Sequence, residues 1–296
     1  MNPPVSPLKR QKTLWHPKSF KDLDAINNPN DVLYVKDNRR VVRIGPGVLI
    51  KSGGSDFGEE VLCSRFAREE LSLPVPRILH YPGSARRRFV WNMSTLAMLT
   101  NDRLRGVWYI SMEEVPGVSL DKVVDTLPEE QLERIGLQLR GYVKRMQSVR
   151  GRALGSITGK PYRTFPVSPF YQPRETFENF ADFREYLCAL LVLCDCMSEE
   201  DMDRLFYAFP RNASIRFAHA DLLPKNIMVD GSAVTGIIDW ASAGFYPDFW
   251  DYCRMHDPEF MTPGWDKMLR TIFPGERRQA EIHAVATIVH SLVTYI

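Results

Sequence analysis

The sequence predicts an α+β chain folded as two lobes, a small β-rich one followed by a larger, mainly helical one. Strand signals dominate up to about residue 112, broken by a single helix, and helix signals dominate beyond it. Two acidic motifs, whose aspartates stand 18 residues apart, lie where apolar strand residues give way to polar loops. At 296 residues the chain is long enough for two lobes with a core each. Its 44% hydrophobic and 25% charged residues are ordinary for a globular protein.

The first thirty residues are polar and form a lead-in. Val41-Val42-Arg43-Ile44, Gly45-Pro46-Gly47 and Val48-Leu49-Ile50-Lys51 then read as strand, turn and strand. β-Branched residues suit a pleated surface, and Gly-Pro-Gly turns the chain. Gly53-Gly54 leads to a helix over 59–70, whose spacing puts Leu62 and Phe66 on one apolar face. Leu73-Pro74-Val75-Pro76 ends it, because each proline drives its predecessor out of the helical region. Residues 81–106 have no clear period and read as a long loop or hairpin extension. Val107 to Met112 is an apolar, aromatic-rich strand, and the join between lobes falls near 112–117. Thr126 with Glu129 fits a capping box. The helix after it aligns Leu132, Ile135, Leu139, Tyr142, Val143 and Met146 on one face.

Composition narrows the function. A net charge of +2 gives no reason to expect nucleic acid or an anionic membrane as partner. No apolar run reaches the roughly 18 residues of a transmembrane helix. The opening Met-Asn-Pro-Pro lacks the apolar region of a secretory signal. Five scattered cysteines do not make a disulfide framework. A cytoplasmic location is expected.

The chemistry concentrates in His219-Ala220-Asp221-Leu222-Leu223-Pro224-Lys225-Asn226 and in Gly236-Ile237-Ile238-Asp239-Trp240. Together they give a loop with Asp and Asn five apart, a short hairpin, and a second Asp ending an apolar strand. Phosphoryl transfer needs such a set, because the transferred group spreads negative charge and catalysis is positioning plus neutralisation. Magnesium takes a few oxygen ligands and keeps some water. Asn226 and Asp239 can supply those oxygens. Asp221 is left to orient or deprotonate the attacking hydroxyl, with His219 holding the loop. Either motif alone is an ordinary loop; their order and separation carry the reading.

These residues resemble the catalytic loop and metal-binding aspartate of the aminoglycoside phosphotransferase family, especially its fungal branch. Ile238-Asp239-Trp240-Ala241 through Pro247, Trp250-Asp251-Tyr252, Arg65-Phe66, Pro74-Val75-Pro76 and Leu154-Gly155-Ser156 are similar to that family too. The resemblance runs from about residue 41 to 260 and is most specific over 219–251. It implies a bilobal protein-kinase-like fold: an N-lobe over 1–112 with a small antiparallel sheet and one helix, a hinge over 113–117, and a larger, mainly helical C-lobe over 118–296. It implies ATP and Mg2+ as cofactors and a small-molecule hydroxyl as acceptor. Lys51 would hold the phosphates, with Glu60 as its partner and Glu59 as a rival. The backbone of Glu113 and Val115 would meet adenine, and Asp251 would bond the catalytic-loop backbone. The acceptor would sit among residues 165–210 and 255–296, where Phe170, Tyr171, Phe177 and Phe180 mix with Glu175, Glu178 and Asp182.

The sequence departs from the pattern in places. There is no Gly-x-Gly-x-x-Gly phosphate loop: Gly45-Pro46-Gly47 is short, and Gly53-Gly54 follows Lys51. Ala220 stands where the family often has glycine. Three functional readings follow. The first is a small-molecule kinase. The second, a protein Ser/Thr kinase, needs a long segment after the second aspartate, whereas eleven residues separate Asp239 from Asp251. The third, a catalytically weak or silent protein that binds nucleotide or a protein partner, is kept open by the missing phosphate loop.

Overall fold

A computed structural model describes residues 29–36, 39–53, 56–81, 108–165, 167, 171–195, 197–210 and 212–294. Its first part holds β1 (Val32–Lys36), β2 (Arg39–Gly45), β3 (Val48–Gly53), α1 (Gly58–Glu69), β4 (Ile78–His80) and β5 (Trp108–Glu113). The strands form one antiparallel sheet in the order β1-β2-β3-β5-β4. Gly47 closes the β2–β3 turn at φ 72°, a left-handed conformation that costs glycine little. β3 lies in the middle of the sheet, so alternate residues face two different environments. Ile50 is fully buried with Val42 on one side, and Lys51 points to the other.

The rest is mainly helical. It comprises β6 (Val118–Ser119), α2 (Glu129–Ser148), α3 (Phe180–Leu193), α4 (Glu199–Tyr207), β7 (Ile215–Ala218), β8 (Ile227–Asp230), β9 (Ala233–Ile237), β10 (Gly244–Pro247), α5 (Trp250–Met255), α6 (Pro263–Ile272) and α7 (Gln279–Thr294). Two small sheets, β6-β8-β9 and β10-β7, hold the loops between these elements in place. In α2, Leu132, Ile135, Leu139, Val143 and Met146 are buried, and Tyr142 packs against the same core from a half-buried position. The α+β, two-lobed architecture is the expected one. Among the described residues no helix is long and apolar enough to cross a membrane.

Two expectations are corrected. Leu62 is exposed, and the buried residues of α1 are Glu60, Val61, Cys63, Ser64 and Ala67. The helix is wedged between two cores: Val61 joins Phe57 and Ile110 beneath the sheet, while Cys63 and Ala67 join the core of α2 and α6. A single apolar stripe cannot describe a helix buried on two sides. The capping box does not form either. Pro128 occupies the N-cap without a side-chain bond, and the Thr126 hydroxyl donates to the Val123 carbonyl in the preceding turn (3.0 Å). Of the aromatic residues in the segment 165–210, Phe177 and Phe180 belong to a core with Phe183, Phe249 and Trp250. Tyr171 is exposed, whereas Phe170, Val107 and residues 82–106 lie outside the described residues.

Candidate active site

β3 and the first turn of α1 bring Lys51 and Glu60 face to face. Lys51 Nζ lies 2.8 and 3.0 Å from the Glu60 carboxylate oxygens and 2.7 Å from Asp239 Oδ1. Glu59 points elsewhere, its Oε1 accepting from the Thr158 hydroxyl (3.2 Å). Burial opposes charge on Lys51, but Glu60 and Asp239 outweigh it and raise the lysine pKa, so the group stays an ammonium. Burial likewise acts to raise Asp239, and Lys51 overcomes it, leaving that carboxyl below its ordinary value. For Glu60 burial is the larger influence and pushes the carboxyl up against the pull of Lys51.

The loop after β7 is held from three directions. Asp251, buried on α5, accepts from the backbone N–H of His219 (3.0 Å) and Ala220 (2.8 Å). The Asp221 N–H donates to His219 Nδ1 (3.3 Å), which leaves Nε2 to donate to the Ile238 carbonyl (3.1 Å). These two bonds agree on one neutral tautomer. Ala220 adopts φ 65°, the left-handed region where a Cβ is strained and glycine is favoured.

A short 3₁₀ turn, Pro224–Asn226, then returns Asn226 to Asp221. Asn226 Nδ2 donates to the Asp221 carbonyl (2.8 Å) and to Asp221 Oδ2 (2.9 Å), so its side-chain oxygen faces away from that pair. The Ile238 N–H donates to the Asn226 carbonyl (2.9 Å), tying the end of β9 to this loop. Asp239 follows at φ 62°, ψ 62° and opens the turn Trp240–Ser242. Its carboxylate keeps 38% exposure, so Oδ2 is accessible while Oδ1 meets Lys51.

The connector after β5 is pinned. Arg43 grips the Glu114 carboxylate through Nε (2.9 and 3.1 Å) and Nη2 (2.5 Å), and the Glu114 N–H donates to the Gly47 carbonyl (2.9 Å). The Glu113 N–H is committed to the Arg77 carbonyl (2.9 Å), whereas the Val115 N–H bonds to no described residue. Gly117, at φ 96°, passes so close to β8 that a Cβ would lie 2.0 Å from the Val229 carbonyl oxygen.

Two further side chains reach Asp221. Lys225 Nζ lies 3.0 Å from Oδ2, and Arg254 Nη2 lies 3.6 Å from Oδ1. Arg254 also bonds the fully buried Asp257 through Nη1 (2.6 Å). Lys225 stood inside the motif read from the sequence, with nothing there to aim it at Asp221. Arg254 follows Asp251 by three residues on α5, a spacing that any short helix contains.

The model of a family described as phosphotransferase enzymes, APH, matches residues 27–284. The chain belongs to this family. No curated protein matches it significantly in sequence. Among solved structures, the apo form of a thermostable mutant of aminoglycoside phosphotransferase APH(4)-Ia shares 13% identity at a TM-score of 0.61, covering 89% of this chain and 85% of that one. The GDP complex of wild-type aminoglycoside 2'-phosphotransferase-IIIa shares 15% identity at a TM-score of 0.53, covering 90% and 82%. Aminoglycoside-3'-phosphotransferase of type VIII shares 16% identity at a TM-score of 0.52, covering 94% and 100%. These likenesses concern the fold: this phosphotransferase-family chain is bilobal and protein-kinase-like, with a small antiparallel sheet lobe and a larger, mainly helical one.

Proposed function

We propose that this protein is an ATP- and Mg2+-dependent kinase that transfers the γ-phosphoryl group to a hydroxyl of a small molecule. The observation that carries the reading is the buried Lys51, fixed between Glu60 at 2.8 Å and Asp239 at 2.7 Å. An ammonium removed from water and clamped by two carboxylates is costly for stability alone. It suits a site where an anionic group docks.

The residues fit magnesium. Asp239 offers an accessible carboxylate oxygen, and the side-chain oxygen of Asn226 is turned away from Asp221. Both are hard oxygen donors of the kind this cation takes. Bound magnesium would neutralise charge on the transferred phosphoryl group. Lys51 would hold the adjoining phosphates. Asp221 would accept the proton of the acceptor hydroxyl, with Lys225 and Asn226 fixing its Oδ2. The Val115 N–H and the Glu113 carbonyl would meet the adenine, since the Glu113 N–H is already committed.

A protein acceptor is disfavoured. The segment after Asp239 forms β10, which pairs with β7 and runs directly into α5, so no loop there is left to dock a peptide. Relatives of similar fold have been solved with GDP, and an APH(4)-Ia mutant with ADP and hygromycin B. These set a nucleotide and a hydroxylated small molecule as the classes to screen. The acceptor class extends to metabolites as well as antibiotics.

The test joins binding and turnover. Calorimetry should find magnesium-dependent ATP binding in the wild type and its loss in Asp239→Asn. Asp221→Asn should keep that binding while turnover on an acceptor found by screening falls by about 10²–10⁴-fold. No ATP binding by the wild type at millimolar concentration would overturn the reading in favour of a silent family member.

A further inference from the structure

A phosphate cradle needs several successive backbone N–H groups turned inward, and the sequence has no Gly-x-Gly-x-x-Gly run to supply them. Lys36 of β1 pairs with Arg39 of β2, so Arg39 opens β2 at the end of the sheet where β1 leaves it. The Gly45-Pro46-Gly47 turn is at the wrong place, because the Gly47 carbonyl is bonded to Glu114 in the connector. Gly53 ends β3 beyond Lys51.

Arg39, the first residue of β2, is exposed, and its side chain makes no hydrogen bond or ion pair to any described residue. It nevertheless lines one cavity with Lys51, Phe57, Glu60 and Ala241, and so stands over β3, the start of α1 and the turn after Asp239. Arg163, the other arginine of this cavity, is bound to Asp56 at 3.1 Å. Among the described residues lining the cavity, Arg39 is therefore the one cation with no carboxylate of its own.

We propose that Arg39 replaces the missing phosphate loop and contacts the terminal phosphates of the nucleoside triphosphate above Lys51. The inference rests on reading the cleft as a triphosphate site. A guanidinium presents a planar fork of N–H donors that can grip two phosphate oxygens, so one side chain at the start of β2 can do the work of several backbone donors. It also offsets the excess of carboxylate over ammonium in the Glu60, Lys51 and Asp239 cluster, which would otherwise repel an incoming anion.

The test is calorimetry of wild type, Arg39→Gln and Arg39→Lys with Mg-ATP and with adenosine. Arg39→Gln should weaken Mg-ATP about tenfold, leave adenosine unchanged and flatten the salt dependence of ATP binding. Arg39→Lys should recover part of the loss. Mg-ATP affinity within about twofold of wild type in Arg39→Gln, or an equal loss for adenosine, would overturn this inference while sparing the nucleotide site. A wild type that binds neither ligand would overturn both.

Discussion

Replacing Lys51 with methionine tests how far the cleft depends on its central cation. The lysine side chain is 11% exposed and Glu60 6%, so the substitution strands a carboxylate that water cannot reach. Removing one partner of such a buried pair costs about 3–5 kcal/mol. The lower end applies, because Asp239 keeps 38% exposure and regains solvent. Glu60→Leu leaves Lys51 paired with Asp239 and should cost about 1 kcal/mol; the double variant Lys51→Met/Glu60→Leu removes both charges and should also lose only about 1 kcal/mol, giving a coupling of roughly 3 kcal/mol between the two positions. Urea unfolding of the wild type, both single variants and the double variant measures it. The pH dependence supplies an independent check. Burial already pushes Glu60 up, and Lys51 is the main opposing influence. Without Lys51 the folded-state pKa rises further above the unfolded value of about 4.3, so the folded state holds the extra proton and stability falls as pH rises through that window. Lys51→Met should therefore be nearly as stable as wild type near pH 5 and show its full deficit near pH 8. A deficit independent of pH, or a coupling below about 0.5 kcal/mol, would refute a desolvated pair.

Two other outcomes follow from the packing. His256 is buried against Tyr252 and Phe273, and burial holds its imidazole down at about 4. The unfolded chain takes up the proton first, so stability should fall by up to about 3 kcal/mol between pH 6.5 and 4, and His256→Gln should flatten that slope in urea unfolding at a series of pH values. Ala220 sits at φ 65° with its N–H held by Asp251, so Ala220→Gly should gain about 1 kcal/mol and raise Tm by a few degrees in a thermal scan.

Much of this protein was legible in its sequence because the signals are local. The strands around Gly45–Gly47 and the buried stripe of α2 follow from β-branched runs and helical period, which neighbouring residues carry among themselves. The grouping of Asp221, Asn226 and Asp239 could be anticipated for the same reason, since a tight turn and one short hairpin join them. Other features depend on which surfaces meet. Glu59 and Glu60 are alike in sequence, and only the seat of α1 between two cores turns Glu60 toward Lys51. Leu62 is exposed and Phe177 buried for the same kind of reason: a helix or loop packed on two sides obeys its surroundings rather than its own period. The Arg43–Glu114 pair spans 71 residues, and the Lys51–Asp239 pair spans 188. No spacing rule reaches so far. The sequence by itself determined the elements and the chemistry available in the loop after β7. The tertiary structure decided which charges oppose one another, because burial and Coulomb attraction depend on distances set only when the two lobes pack.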